Sequence, residues 1–201
     1  MTSIKALDCY IDSTPHIAQL KSEGFGAVLR YIFHSSGFKV PLTHAEALAL
    51  SKAGIRVATI WENGYPNQDS YFTNEAAHFD AGGAVAKASS IGQPKGSLIV
   101  FAYDGDISVD VAVRYATIVH SDVKAGGYLA SAYGSGAVLR RLSELGLIHD
   151  AGWLSQSKGF PGWADWKPDA DVVQGSVGKW HGIDVDWDTV QDTGITWQIS
   201  S

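Results

Sequence analysis

Two carboxylates separated by one glycine, Asp104 and Asp106, close the stretch Ser97–Asp106, SLIVFAYDGD. Leu98, Ile99, Val100, Phe101 and Ala102 before them show no polar alternation, which suits a strand covered on both faces in a parallel sheet. In β/α folds the carboxyl end of such a strand is where loops converge and chemistry is housed. Asp106, or Ser108 beyond it, has the alternative use of capping the next helix; Asp104 does not. Reading the same end of every expected strand collects Asp8, Glu62, Asp104, Asp106, Asp184 and Asp186. Tyr31, Trp61, Tyr103, Tyr133, Trp153, Gln156, Gln174 and Trp187 fall beside them.

Acids and aromatics together suit glycosidic bond cleavage, which needs a proton donor at the leaving oxygen and an anionic partner at the anomeric centre. Crowded carboxyls push their pKa values apart, leaving one protonated near neutral pH. Each residue also has a plainer use. Asp8 and Asp184, on the first and last strands, could join Arg30 in a structural ion-pair network, since an arginine inside a strand needs a carboxylate nearby. Glu62 could be solvated at a loop root. Asp186 and Asp188 share one strand face, so an acid-built metal site is a third use. The seven histidines, His16, His34, His44, His78, His120, His149 and His181, have no ligand spacing, and no metal or cofactor is expected. Ser131 and Ser135 flank Tyr133-Gly134 without a nucleophile elbow.

The elements that must deliver these groups alternate. Ile4–Tyr10 reads as a first strand, and Thr14 with Pro15 starts a helix that runs to Glu23 and stops at Gly24. Ala27–Phe33 is the second strand, Ser35-Ser36-Gly37 a loop, and Thr43 with Glu46 a capping-box start for a helix to Ala53. Ile55–Glu62 is the third strand, followed by a loop over Asn63–Ser70 and a long helix over Tyr71–Ile91, whose Gly82-Gly83 pair marks a weak point or a close approach. Strands over Ser97–Asp104 and Ala125–Tyr133 are each followed by a helix, over Val109–Val123 and Ser135–Leu145. Then the rhythm changes. Ala151–Ser157, Asp171–Ser176 and Gly182–Asp188 are strand-like pieces, and the connections Lys158–Ala170 and Val177–His181 are rich in Gly, Pro and Trp. The expected fold is α/β, a TIM-like (β/α)8 barrel with abbreviated helices in the last third, forming one domain over 1–201.

Composition narrows the partners. A net charge of -6 without a basic run disfavours nucleic acid. No apolar run is long enough to span a bilayer, so no integral membrane segment is expected. No signal peptide is visible, so the chain is expected to be made in the cytoplasm and to act elsewhere after release or delivery, as a phage lysin or a secreted effector does. The only cysteine, Cys9, excludes an internal disulfide and reads as a buried small hydrophobe. Most of the seven Trp lie in the last quarter, where packing is the plain use and a sugar platform the functional one. A monomer is expected.

The segments ALDCY, LRYIF, IWE, VFAYDGD and GIDVDWD resemble the Rv2525c-like glycoside-hydrolase-like domain of unknown function, found in actinobacteria and phages and related to the family 25 lysozymes, which are N-acetylmuramidases. The resemblance covers nearly the whole chain and implies a barrel acting on bacterial peptidoglycan or another amino-sugar glycan. It places Asp8 on the first-strand aspartate of those lysozymes, Asp104 on the first acid of their Asp-x-Glu signature, Asp184 on the last-strand aspartate and Gln174 on the seventh-strand glutamine. Asp106 stands where they carry the acid-catalyst glutamate. It is one methylene shorter, and a misplacement of about 1 Å costs on the order of 100-fold. Catalysis is thereby expected from Asp104, Glu62, Asp106 and Asp8. Substrate binding is expected from Asp184, Arg30, Tyr31, Tyr103, Tyr133, Trp153, Gln156 and Gln174. The alternative is a glycan-binding or structural module on the same barrel.

Overall fold

A computed structural model describes residues 3–33 and 40–199. His34 and the expected Ser35-Ser36-Gly37 loop lie outside them. Eight strands close into a barrel in chain order: β1 (Ile4–Cys9), β2 (Ala27–Phe33), β3 (Arg56–Trp61), β4 (Leu98–Ala102), β5 (Leu129–Gly134), β6 (Trp153–Leu154), β7 (Val172–Trp180) and β8 (Ile183–Val190). Neighbours from β1 to β7 run parallel. β8 runs antiparallel to both β7 and β1.

The helices between them are α1 (Ile17–Ser22), α2 (His44–Lys52), α3 (Asn74–Ser90), α4 (Val109–Ala125), α5 (Gly136–Glu144) and the single turn α6 (Trp163–Trp166). Their starts follow side-chain caps. Thr43, Thr73 and Ser135 accept from the backbone N–H of Glu46, Ala76 and Val138. Thr14 does not cap: it lies inside a 3-10 turn, Thr14–His16, ahead of α1. Glu46 does not complete a capping box, because its carboxylate is drawn into the core by Arg30. The long helix starts at Asn74, not Tyr71, because Thr73 supplies the cap.

Period-two alternation sorts the strand residues into two cores. Ala6, Ala27, Leu29, Ala58, Ile60, Leu98, Val100, Trp153, Val172 and Val190 fill the barrel. Leu7, Val28, Val57, Ile99 and Phe101 pack outward against the helices. The outer layer is tight enough that a Cβ on Gly83 of α3 would strike the Trp61 ring, the close approach expected of the Gly82-Gly83 pair. Cys9 is buried, and that burial pushes its thiol up to about 11.

The last third departs from the expected layout: of Ala151–Ser157 only Trp153–Leu154 is strand, and the final connection is absent. Val177–His181 is not a connection: β7 continues to Trp180 and turns back at once into β8. His181 and Gly182 hold the turn with φ of 48° and 83°, the left-handed pair that a tight hairpin requires.

Candidate active site

The inward parity of each strand continues past the apolar layers to polar residues at the barrel mouth. On β1 the series Ile4, Ala6 ends in Asp8; on β2, Ala27, Leu29 ends in Tyr31; beyond β3, Ala58 and Ile60 lead to Glu62. Beyond β4 it leads to Asp104, on β5 to Tyr133, and on β7 to Gln174. Tyr31, Ile60, Glu62, Ala102, Asp104, Tyr133, Trp153, Gln156, Gln174 and Asp186 line one hollow of about 230 Å³. Acids read from strands far apart in the chain therefore meet in one place.

Gln174 is the hub of this mouth. Its amide nitrogen donates to Asp186 Oδ2 at 2.9 Å and Asp8 Oδ2 at 3.3 Å. Its Oε1 accepts from the Tyr133 hydroxyl at 2.9 Å and the Gln156 backbone N–H at 3.2 Å. The Tyr31 hydroxyl donates to Asp8 Oδ1 at 3.5 Å. Burial raises the Tyr133 hydroxyl pKa above its ordinary value, and Asp104, Asp8 and Asp186 add to the effect. Tyr31 is raised in the same direction by burial, Asp8 and Glu62. Both phenols therefore stay protonated and act as donors.

The direction of β8 changes which aspartates matter. Because β8 descends into the barrel, its amino end reaches the mouth, and Asp186 stands in register opposite Asp8. Asp184, expected beside Asp8, lies two residues higher on the projecting β7–β8 hairpin. There it is exposed, pairs with Lys179 at 2.7 Å and accepts from the Tyr10 hydroxyl at 3.1 Å. That hairpin walls a second cavity of about 470 Å³, which shares Tyr31 and Asp186 with the central hollow. Below Asp186 the same face carries Asp188, 5% exposed, with Trp153 Nε1 donating to its Oδ1 at 3.1 Å. Asp188 and Lys179 are missing from the expected site. The signal for both was the short, turn-bearing span between the last two strand pieces, which permits only an antiparallel pair.

Two expected binding residues point away from the hollow. Arg30 lies between inward Leu29 and Tyr31, so it faces outward. It is fully buried and gives Nε to Glu46 at 2.7 Å, with further bonds to the carbonyls of Cys9 and Val40. The carboxylate that an arginine in a strand demands is thus Glu46 of α2, not Asp8 or Asp184. Tyr103, between inward Ala102 and Asp104, stacks on Phe72 at 5.0 Å and meets Tyr115 edge-on in the outer core. Trp61 and Trp187 stack outward in the same way, on Phe33 and Phe25.

The Asp-Gly-Asp turn is clamped to the loop that carries Glu62. Asp104 N–H donates to Pro66 O at 2.9 Å, and a Cβ on Gly105 would lie 2.5 Å from Asn67 O. Ser108 at the start of α4 does not cap with its own side chain; its N–H and hydroxyl both donate to Asp69. Asp106 is exposed on this turn and does not line the hollow. Among the described residues no three His, Cys, Asp or Glu side chains are grouped so as to hold a metal ion, and no helix is long and apolar enough to cross a membrane.

Residues 18–194 match the family model described as "Rv2525c-like, glycoside hydrolase-like domain". The chain belongs to that family. None of the curated proteins matches this Rv2525c-like domain in sequence. Among solved structures it is similar to the Tat-secreted protein Rv2525c of Mycobacterium tuberculosis, with a TM-score of 0.74 and 17% identity over 94% of this chain and 96% of that one. An uncharacterized B. stearothermophilus protein gives a TM-score of 0.70 and 15% identity over 96% and 100%. The catalytic domain of endolysin ply40 from bacteriophage P40 of Listeria monocytogenes gives 0.58 and 16% identity over 96% of each chain. At these identities the likeness is one of fold, and what this Rv2525c-like domain does must be argued from its own residues.

Proposed function

We propose that this Rv2525c-like domain is a single-domain, monomeric glycoside hydrolase of bacterial peptidoglycan, lysozyme-like in cleaving between amino sugars, that works by carboxylate acid–base catalysis. The observation that carries the reading is the convergence of Glu62 from β3 and Asp104 from β4 on one hollow walled by tyrosines and a glutamine. Glu62 delivers a proton to the leaving glycosidic oxygen as the bond to the anomeric carbon breaks. Asp104 stabilises the positive charge that develops there, or assists the sugar's own acetamido oxygen if that group attacks, and a water then adds to the anomeric carbon and gives its proton back to Glu62. Asp8 and Asp186, fixed by Gln174, orient the ring and water. Glu62 takes the acid role rather than Asp106 because Asp106 stands outside the hollow. The likeness to an endolysin catalytic domain supports wall glycan as the substrate, reached after release or delivery from the cytoplasm.

A second reading, a module that binds wall glycan without cutting it, is favoured by the same displaced Asp106. Incubation with purified, insoluble cell walls separates the two. New reducing ends in the supernatant support the hydrolase; co-sedimentation with no released fragments supports the binding module.

A further inference from the structure

Behind Trp153 and Gln174, which line the hollow, the barrel buries a carboxyl that the proposed chemistry leaves idle. Asp188 lies on β8 in register with Ala6 of β1 on one side and Gln174 of β7 on the other. Its Oδ1 accepts from Trp153 Nε1, while its buried Oδ2 receives no N–H or hydroxyl donor. The group that meets the Asp188 carboxyl is the carboxyl of Asp8. Buried polar atoms are nearly always partnered, and an ionised carboxylate in a closed barrel is costly unless its charge is answered.

Among the described residues, the Trp153 indole N–H is the only donor that answers a negative charge on Asp188. Asp8 faces it from β1 and Asp186 stands above it on β8; Tyr31 of β2 and Tyr133 of β5 are neutral, as are Trp153 of β6 and Gln174 of β7. Glu62 and Asp104, beyond β3 and β4, are two more acids higher in the mouth, and among the described residues no Lys, Arg or His lines the central hollow. Tyr31 and Gln174 between them donate to both oxygens of Asp8, and Gln174 donates to Asp186, whereas Asp188 receives a donor on Oδ1 alone. The donor count leaves Asp188 as the carrier of a proton.

We propose that Asp188 is a positioning residue that holds a proton on Oδ2 and donates it to Asp8, so that Asp8 faces the substrate as an oriented acceptor. Burial, then the charges of Asp8 and Asp186, act in the same sense and hold the Asp188 carboxyl well above the usual carboxylate range, against the smaller pull of the Trp153 bond. Losing that proton would place the Asp188 charge beside the carboxyls of Asp8 and Asp186. The role given to Asp8 rests on the hydrolase reading; the location of the proton does not.

The indole N–H of Trp153 reports on Asp188 directly. In the 15N-labelled full chain, its resonance, assigned with Trp153→Phe, is expected to shift with a midpoint well above the ordinary carboxyl value near 4. Asp188→Asn is expected to abolish that shift, and Asp8→Asn to lower its midpoint. A midpoint near the ordinary value, or a titration that survives Asp188→Asn, overturns the proposal. If Asp188→Asn does not fold, an unchanged midpoint in Asp8→Asn overturns it alone. The readout needs no substrate, so it stands apart from the question of hydrolysis. If the chain does cleave walls, Asp188→Asn is further expected to remove the alkaline limb of the rate profile, and an unmoved limb counts against the positioning role.

Discussion

Gln174 on β7 donates an amide N–H to Asp186 on β8 across 2.9 Å, and through the same side chain β7 is tied to Asp8 and Tyr133. One neutral residue thereby sets the orientation of two carboxyls. Gln174→Leu keeps the volume and removes every one of these bonds. The expected result is a rate on cell walls lower by roughly 100-fold with a modest change in KM, since misplaced groups cost rate first. The accompanying loss of stability, about 1–3 kcal/mol, is read by urea unfolding.

Gly105 permits the loop carrying Glu62 to close on the loop carrying Asp104. A methyl group there meets the Asn67 carbonyl, backbone that cannot swing aside. Gly105→Ala is expected to cost about 1–3 kcal/mol in thermal or urea unfolding. By spreading Glu62 from Asp104 it is expected to reduce turnover roughly 100-fold while wall binding persists, measured by co-sedimentation.

Arg30 and Glu46 are both fully buried and answer each other at 2.7 Å. Removing one leaves the other as an unpaired charge in the outer core. Arg30→Met is expected to cost about 3–5 kcal/mol in urea unfolding, and Arg30→Met with Glu46→Leu to recover most of it. A KM effect in a folded Arg30 variant would return that residue to the binding role its sequence position suggested.

Stability is expected to fall as pH rises from about 4 toward 7. Burial, then the neighbouring charge of Asp171, pushes Asp150 up to about 7, above its unfolded value. A raised folded pKa means that the folded state binds the proton more tightly. The contribution is therefore fully present below the unfolded pKa and is lost as pH rises through about 7. Asp150→Asn, which keeps an oxygen for the Ser131 hydroxyl, is expected to flatten this part of the profile and to unfold at higher urea than the parent at pH 8.

Much of the barrel is legible in the sequence. The run ending in Asp104 is an unbroken apolar strand because both its faces are covered, and Thr43 and Ser135 announce their helices by capping chemistry. Within the site, Glu62, Asp104, Tyr31, Tyr133, Trp153, Gln156 and Gln174 were expected together and do share the hollow. Two kinds of information were harder to read. Parity decides whether a residue near a strand end faces the barrel or the helices, and a strand with no polar alternation conceals it, which is how Arg30 and Tyr103 came to be placed in the mouth. Strand direction decides which end of β8 is the top: because β8 runs down into the barrel, Asp184 stands highest on the hairpin, Asp186 at the mouth and Asp188 beneath it.

The central claim is that Glu62 and Asp104 cut a glycosidic bond. It is tested most directly by the release of reducing ends from purified peptidoglycan by the parent chain, Glu62→Gln and Asp104→Asn, with wall binding measured alongside. The expected result is steady release by the parent and none above background from either variant, while both still bind walls. Undiminished release by both variants, or no release by a parent that binds walls, would contradict the account.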